Sequence, residues 1–275
     1  MDFDCIVVGA GPAGLSAALT LGRARRTVLV LDSGEPRNHA ARAMHGVLGH
    51  DGLSPAELRR RGIEEVARYG AEVRPAAVSA ARAIEGGFEL DGITASTIVL
   101  ATGLLDATPD VPGFEAIYGI SAHTCPYCDG WEHRDERIAV YAGAEAAAHM
   151  GPLLRQWSAD TIVLDPAQVT RFVHRDGHLT HVELADGTSL ERDALFFNVA
   201  MHPRVDLAVQ LGCELTEAGF IASAAQDRKT TVDGVYAVGN CADPMLNVPM
   251  SIADGARAAV FINVHLLVAD GILHV

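Results

Sequence analysis

The chain has 275 residues, 49% of them hydrophobic and 20% charged, enough for two compact domains with cores of their own. A net charge of −14 at pH 7 argues against nucleic acid or an anionic membrane as partner, since both reward lysine- and arginine-rich surfaces. No apolar run suggests a bilayer span, no basic-then-apolar leader opens the chain, and five cysteines are few and odd in number for a secreted disulfide framework, so a cytoplasmic protein is expected.

Residues 4–34, DCIVVGAGPAGLSAALTLGRARRTVLVLDSG, are the most informative stretch. Cys5–Val8 is an apolar strand, Gly9-Ala10-Gly11-Pro12-Ala13-Gly14 fills G-x-G-x-x-G, and Leu15–Gly22 is the helix that follows. Thr27–Leu31 is a second strand, ending in Asp32. Gly9 allows the tight turn, Gly11 lets backbone approach a pyrophosphate, and Gly14 lets helix pack on strand. The helix start offers N–H groups and a positive dipole end to phosphates. Asp32, 23 residues after Gly9, is placed to accept hydrogen bonds from ribose hydroxyls. A dinucleotide-binding unit is expected, and the fingerprint alone leaves FAD and NAD both open. Further on, STIVLATG (96–103) is a buried strand ending in Ala101-Thr102-Gly103.

AHTCPYCDGWEH (122–133) places Cys125 and Cys128 two residues apart. A glutaredoxin-like site belongs near the start of a small domain, and this one is mid-chain. Zinc has His123, Cys125, Cys128 and His133 available, although structural zinc sites usually draw their second ligand pair from a distant segment. Two buried structural cysteines are a third reading. The fourth is a redox pair: C-x-x-C lets two sulfurs close a small ring on a helical turn, where a thiolate is stabilised. Tyr127 and Trp131 flank the pair and could wall a small apolar pocket.

RIAVYAGAEAAAHMGPLLRQWSADTIVLD (137–165) has the outline strand, turn, helix 147–157, strand 161–164. Residues 169–200 read as consecutive short strands with turns at Asp176-Gly177 and Asp186-Gly187. DGVYAVGNCAD (233–243) is another strand, ending in Gly239-Asn240, and MSIADGARAA (250–259) opens a helix. The tail 260–275 begins as an amphipathic helix whose apolar end is expected to pack in a dimer interface or over a substrate site. Cys5 is expected to be core packing, Cys241 to fill space, and Cys213 to lie in a polar, surface-like segment.

With A-T-G at 101–103 and G-V-Y-A-x-G at 234–239 following the fingerprint, the chain from about 4 to about 265 resembles the low-molecular-weight thioredoxin reductase-like flavoproteins. The resemblance implies an α/β fold: a Rossmann-like FAD domain (1–112 and 236–275) with a parallel sheet and βαβ units. A smaller, truncated α/β nucleotide-binding-like domain (113–235) carrying CxxC interrupts it. It implies FAD as cofactor, held by Gly9, Gly11, Pro12, Ala13, Gly14, Asp32, Ala101, Thr102, Gly103, Gly239 and Asn240. The loop GEPRNHAARAMHGVLGHDG (34–52), with Arg37, Asn38 and His45, would face the flavin, as would the helix start at Ser251 and Ile252. Cys128 would meet the flavin, Cys125 the external thiol or disulfide, and Asp129 would carry the proton, which calls for a partly buried carboxyl with a raised pKa. Members are typically homodimers.

The inserted domain of that family carries a second fingerprint, for NADPH. Here its first and second glycines are Ala142 and Ala144, and Glu145 adds negative charge where phosphates would lie. The helix and strand that complete a nucleotide-binding half are missing, as is a basic cluster for a 2′-phosphate, although Arg171 and Arg175 could imitate one. The expected activity is therefore FAD-dependent dithiol oxidation. A small dithiol or a thioredoxin-like protein would give electrons through Cys125–Cys128 to FAD and then O2, without NADPH. The alternatives are a reductase fed by NAD(P)H bound atypically or by a ferredoxin-type donor, and a non-catalytic redox-sensing flavoprotein.

Overall fold

The computed structural model describes residues 1–198 and 200–274. Val199, within the expected strand segment 169–200, and Val275, the end of the expected FAD domain, lie outside the described residues. The chain forms two compact units, one of Met1–His39, Ala56–Leu105 and His202–Val275, the other of Ala40–Pro55 and Asp106–Met201.

In the first unit, β1 (Phe3–Val8), β2 (Val28–Asp32), β3 (Glu72–Pro75) and β6 (Ile93–Leu100) form a parallel sheet in the order β3-β2-β1-β6. β4 (Ala81–Ile84) and β5 (Gly87–Leu90) extend it antiparallel, and β16 (Val235–Ala237) joins β6 in parallel, Val235 opposite Ile98. β1 and β2 read as continuous apolar runs because both faces are covered. Their side chains alternate between two cores. Cys5, Val7, Val28 and Val30 pack with Ala17, Ala18 and Leu21 of α1 (Pro12–Arg23) and Ala258, Ala259 and Ile262 of α7 (Val248–Ala269). Ile6, Leu29 and Leu31 pack on the other face with Ile98, Leu100, Leu207, Leu211 and Ile221. α2 (Pro55–Arg68) leads into β3.

That second core moves a boundary. Residues 202–235, expected in the inserted domain, build the first unit instead, because α6 (Asp206–Gln210) and the strand-like segment after it cover the sheet with Leu207, Ala208, Leu211 and Ile221. Cys213, expected near the surface, is 7% exposed in the same core. Residues 40–55, expected in the FAD domain, group with the second unit.

α7 begins at Val248, two residues before the expected start, because the Asn247 side chain accepts from the Met250 N–H and Pro249 sits at the helix start. By length and composition α7 could also cross a bilayer, which the sequence reading did not register. One face of it packs on α1 and carries the buried Asp254.

In the second unit, β8 (Ala122–His123), β9 (Ile138–Tyr141), β10 (Thr161–Leu164) and β14 (Ala194–Phe197) form a parallel sheet in the order β10-β9-β14-β8. β11 (Val169–Arg175), β12 (His178–Leu184) and β13 (Ser189–Glu191) form a separate antiparallel sheet. Its turns use Asp176 (φ 52°) with Gly177 (φ 84°), and Gly187 (φ 86°), as the sequence implied. α3 (Phe114–Ile117), α4 (Pro126–Asp129) and α5 (Ala144–Leu154) complete the unit, while β7 (Leu104–Asp106) and β15 (Met201–Pro203) lie where the chain passes between units. α5 starts three residues before the expected 147 and ends at 154, since the alanines after Gly143 enter the helix at once.

Candidate functional site

Each glycine of the N-terminal fingerprint has its own geometry. Gly9 has φ +107°, and a Cβ there would lie 2.3 Å from the Ala101 carbonyl oxygen. At Gly14 a Cβ would lie 1.9 Å from the Gly9 oxygen, so glycine is required for α1 to sit on the loop. At Gly11 a Cβ would meet nothing within 4 Å. Chain packing therefore does not explain Gly11, whereas a ligand pressed against its backbone would. α1 starts at Pro12 without a side-chain cap, so no capping side chain takes up the N–H groups of its first turn.

Asp32 shapes this loop as well as facing it. Its Oδ1 accepts from the Ala10 N–H at 2.7 Å, and its Oδ2 accepts from the Gly34 N–H at 3.0 Å and from Arg59. The carboxylate keeps lone pairs for ribose hydroxyls. Ala101 N–H donates to Val8 O at 2.9 Å, Thr102 Oγ1 donates to Arg204 O at 2.6 Å, and Arg204 N–H donates to Gly103 O at 3.0 Å. Arg204 was missed at the sequence level because nothing local marks it.

Gly239 (φ 73°) and Asn240 follow β16. The Asn240 amide nitrogen donates to Asp243 O at 3.0 Å and Leu246 O at 2.9 Å, and its Oδ1 accepts from Arg37 at 3.2 Å. The side chain thus braces 243–246 and Arg37, so that backbone is what this turn leaves for a ligand. The Gly239 N–H donates to Asp254 Oδ2 at 2.9 Å, and Asp254 is itself bound by Arg228 and Arg257. Ser251 and Ile252 lie one turn inside α7, with Ser251 N–H spent on Asn247 O at 2.8 Å and Ile252 O accepting from Ser16 Oγ at 2.7 Å. They are not the helix terminus expected of them. These residues fit FAD: an open glycine backbone, an uncapped helix start and a ribose-facing acid share one end of a parallel sheet. Asn38 is half-buried on the following loop. His45 groups with the second unit, its ring nitrogens 3.6 Å from Asp51 and 3.6 Å from Glu132, so its place is beside the redox loop.

In the second unit, Cys125 and Cys128 are joined as a disulfide with Cα atoms 5.3 Å apart, both half-buried. α4 is a single turn with Cys125 at its N-cap, and Cys128 N–H donates to Cys125 O at 3.1 Å. The sulfurs are bonded to each other rather than aimed at a common ligand. A Cβ at Gly130 would lie 2.5 Å from Pro126 O and 2.9 Å from the Trp157 ring, which explains the glycine after Asp129. Tyr127 and Trp131 are 73% and 64% exposed beside the pair, Tyr127 edge-on to Trp157. The Asp129 side chain is 22% exposed, with Oδ1 3.3 Å from His123 Nδ1. Cys5, Cys213 and Cys241 are free and buried; burial pushes the Cys5 thiol up to about 12 and raises the other two.

The β9–α5 turn differs from the first loop. Gly143 is the N-cap of α5, Glu145 is in its first turn, and Ala142 is not among the residues of positive φ. The cleft in front of it, about 590 Å³, is lined by Gly143, Ala144, Glu145, Ala146, His149 and Asn198, and its described lining includes no lysine or arginine.

The family model of pyridine nucleotide-disulphide oxidoreductases matches residues 3–165 and 159–259. The thioredoxin reductase sirT of Leptosphaeria maculans is 31% identical over 314 aligned positions, covering 98% of this chain and 95% of its own. The crystal structure of HlmI superposes with a TM-score of 0.91 at 36% identity, covering 98% of this chain and 94% of that one. An oxidoreductase from Agrobacterium tumefaciens superposes with a TM-score of 0.87 at 31% identity, covering 98% and 99%. Fingerprint, redox disulfide and these likenesses agree: the chain belongs to the pyridine nucleotide-disulphide oxidoreductases, as an FAD-dependent, thioredoxin reductase-like disulfide oxidoreductase.

Proposed function

We propose that this flavoenzyme is a dithiol oxidase that closes a disulfide in its substrate, with O2 as electron acceptor and no need of NADPH. The observation that carries this reading is the start of α5. Glu145 stands where a nucleotide's phosphates would approach, alanines replace two fingerprint glycines, and the described cleft lining offers no lysine or arginine. A pyrophosphate placed there would meet a carboxylate with no lysine or arginine among the described lining residues to offset it. The alignment with sirT runs to 314 positions against a chain of 275 residues, so that relative has stretches without counterpart here. Antiparallel β11, β12 and β13 follow β10 directly.

The chain's own residues supply the thiol chemistry. A substrate thiolate attacks Cys125 Sγ, the Cys125–Cys128 bond breaks, and Cys128 Sγ leaves as a thiolate that takes up a proton through Asp129. The second substrate thiol, deprotonated, attacks the mixed disulfide and releases Cys125. Substrate leaves as a disulfide and the protein holds two thiols. The Gly9–Gly14 loop and Asp32 would hold FAD in the first unit, where it would supply a two-electron acceptor for that dithiol and pass the electrons on to O2. Tyr127 and Trp131 offer an apolar rim suited to a small dithiol or the active-site loop of a thioredoxin-like protein. We place the enzyme in the cytoplasm as a homodimer. The exposed stripe Val260, Val264, Val268 on α7, at helical spacing, supports self-association.

A reductase reading draws support from the thioredoxin reductase names of the relatives, and one experiment separates the two. Under anaerobic conditions the oxidised holoprotein is mixed with NADPH, NADH or a small dithiol, and the visible flavin band is followed. Bleaching by dithiol alone, with colour and hydrogen peroxide returning in air, supports the oxidase. Rapid bleaching by either nicotinamide overturns it.

A further inference from the structure

Four ionisable side chains stand in a row beside the disulfide. Asp129 Oδ1 lies 3.3 Å from His123 Nδ1, His123 Nε2 lies 2.9 Å from His133 Nε2, and His133 Nδ1 lies 2.7 Å from Glu136 Oε2. The two imidazoles are 9% and 12% exposed and Glu136 is 41% exposed, so the row runs from the redox loop to solvent. Phe196 of β14 packs against both rings, with centroids at 5.8 and 6.2 Å. β8 and β14 bring no other charge to the rings. Charged groups that adjoin the row in the chain include Glu132, which pairs with His45 as Asp51 does, Arg134, which lies over the Trp131 ring, Asp135, and Arg137, which is engaged by Asp193 and Glu191.

Counting protons shows what the row can do. It has three links, and each needs one proton between its two heavy atoms. Two neutral imidazoles between two carboxylates bring only two. Whichever tautomers are chosen, one link then sets lone pair against lone pair. Placing the free link at Asp129 matches the distances, since that link is the longest of the three. The row is thus built to take one further proton, held between Asp129 and His123, and to pass it along by tautomer exchange to Glu136 and water. The disulfide needs such a device. α4 has four residues, so few peptide dipoles are aligned to stabilise a thiolate.

We propose that Asp129, His123, His133 and Glu136 form a proton wire serving the Cys125–Cys128 pair. When a substrate thiolate attacks Cys125 Sγ, a mixed disulfide forms, the Cys125–Cys128 bond breaks with its electron pair on Cys128 Sγ, and the wire delivers one proton to that thiolate. The second substrate thiolate then displaces Cys125 and leaves as the disulfide. When the pair closes again and its two electrons pass to the flavin, the proton returns along the same row to solvent. His123, His133 and Glu136 act through Asp129 and are positioning residues. This rests on the reading of Cys125–Cys128 as the working redox pair.

The test uses oxidised holoprotein with 15N-labelled histidine. The two ring spectra are expected to titrate together, with one proton more than two neutral rings while the carboxylates are ionised, and E136Q should uncouple them. Anaerobic opening of the disulfide by dithiothreitol, quenched with an alkylating agent, gives a second readout. H123Q and H133Q should slow it about 100-fold and flatten its pH profile, and E136Q about tenfold, within the range for positioned acid–base groups. Independently titrating, neutral rings in the wild type overturn the wire even where a variant does not fold. So do wild-type rates and pH profiles in folded H123Q and H133Q. A wild-type disulfide that dithiothreitol does not open defeats the redox reading itself, and the wire with it.

Discussion

Asp254 and Arg228 form a buried ion pair, with side chains 2% and 11% exposed, and the carboxylate's other oxygen holds the Gly239 N–H at 2.9 Å. The pair couples α7 to the turn after β16, which is expected to meet the cofactor through its backbone. Removing the acid leaves the buried Arg228 with only Asp243, 3.7 Å away, and frees Gly239. Asp254→Ala should therefore cost about 3 kcal/mol, the low end of the usual penalty for breaking a buried pair from one side. Thermal unfolding measures it, and flavin released on gel filtration reports the loosened turn. An unchanged melting temperature with full flavin content would show that the pair is dispensable.

Gly11 and Gly14 separate a ligand glycine from a packing glycine. A Cβ at Gly14 would lie 1.9 Å from the Gly9 oxygen, whereas one at Gly11 meets nothing within 4 Å. Gly14→Ala should destabilise the apoprotein by roughly 2 kcal/mol or more, since backbone must move to make room. Gly11→Ala should leave apoprotein stability within about 0.5 kcal/mol of wild type, apart from helix-start effects, yet bind FAD at least about tenfold more weakly. Apoprotein melting and flavin titration check both. Equal FAD affinity in Gly11→Ala and wild type would place the pyrophosphate elsewhere.

The first βαβ unit is legible in the sequence because its determinants are local. Gly9, Gly11, Gly14 and Asp32 lie within one continuous stretch, in which Gly14 answers to the Gly9 oxygen and Asp32 to the Ala10 N–H. Cys125, Cys128, Asp129 and Gly130 are legible for the same reason. What stayed hidden depends on pairings between distant segments. Asp254 finds Arg228 26 positions away, and neither looks unusual on its own. Cys213 looked like a surface residue because the segment around it is polar, but Leu207, Leu211 and Ile221 turn that segment onto the sheet. His123 and His133 were noticed only as candidate metal ligands, since their spacing says nothing about which ring nitrogens face each other. The start of α7 was readable: Asn247 and Pro249 are an ordinary cap and first-turn pair.

Gly130 is held by contact rather than by φ. Its backbone is right-handed helical (φ −64°), but a Cβ would press on Pro126 O at 2.5 Å and on the Trp157 ring at 2.9 Å. Gly130→Ala should cost about 1–3 kcal/mol as an overpacked site. Because the ring and the α4 turn must separate, it should also slow the reaction of the disulfide with dithiothreitol. Calorimetry and quenched alkylation read the two effects, and a variant more stable than wild type would mean that Trp157 yields freely.

The five cysteines should divide sharply in reactivity. Cys125 and Cys128 are half-buried and disulfide-bonded, whereas Cys5, Cys213 and Cys241 are buried free thiols whose pKa values burial raises. The thiolate is the reactive form, so iodoacetamide at mildly alkaline pH should label none in the oxidised native protein, two after reduction, and five after reduction and unfolding. Cys5 also sets a limit at high pH. Its folded value of about 12 exceeds the ordinary 9.0, so the unfolded chain releases this proton more readily. Its contribution is intact below pH 9.0 and drains away as pH rises toward 12. Cys5→Ala removes that titration, and its stability curve above pH 9.0 should fall less steeply than that of the wild type. Parallel curves in denaturant titrations would show that Cys5 stays protonated in the unfolded chain as well, or that other groups dominate the alkaline limb.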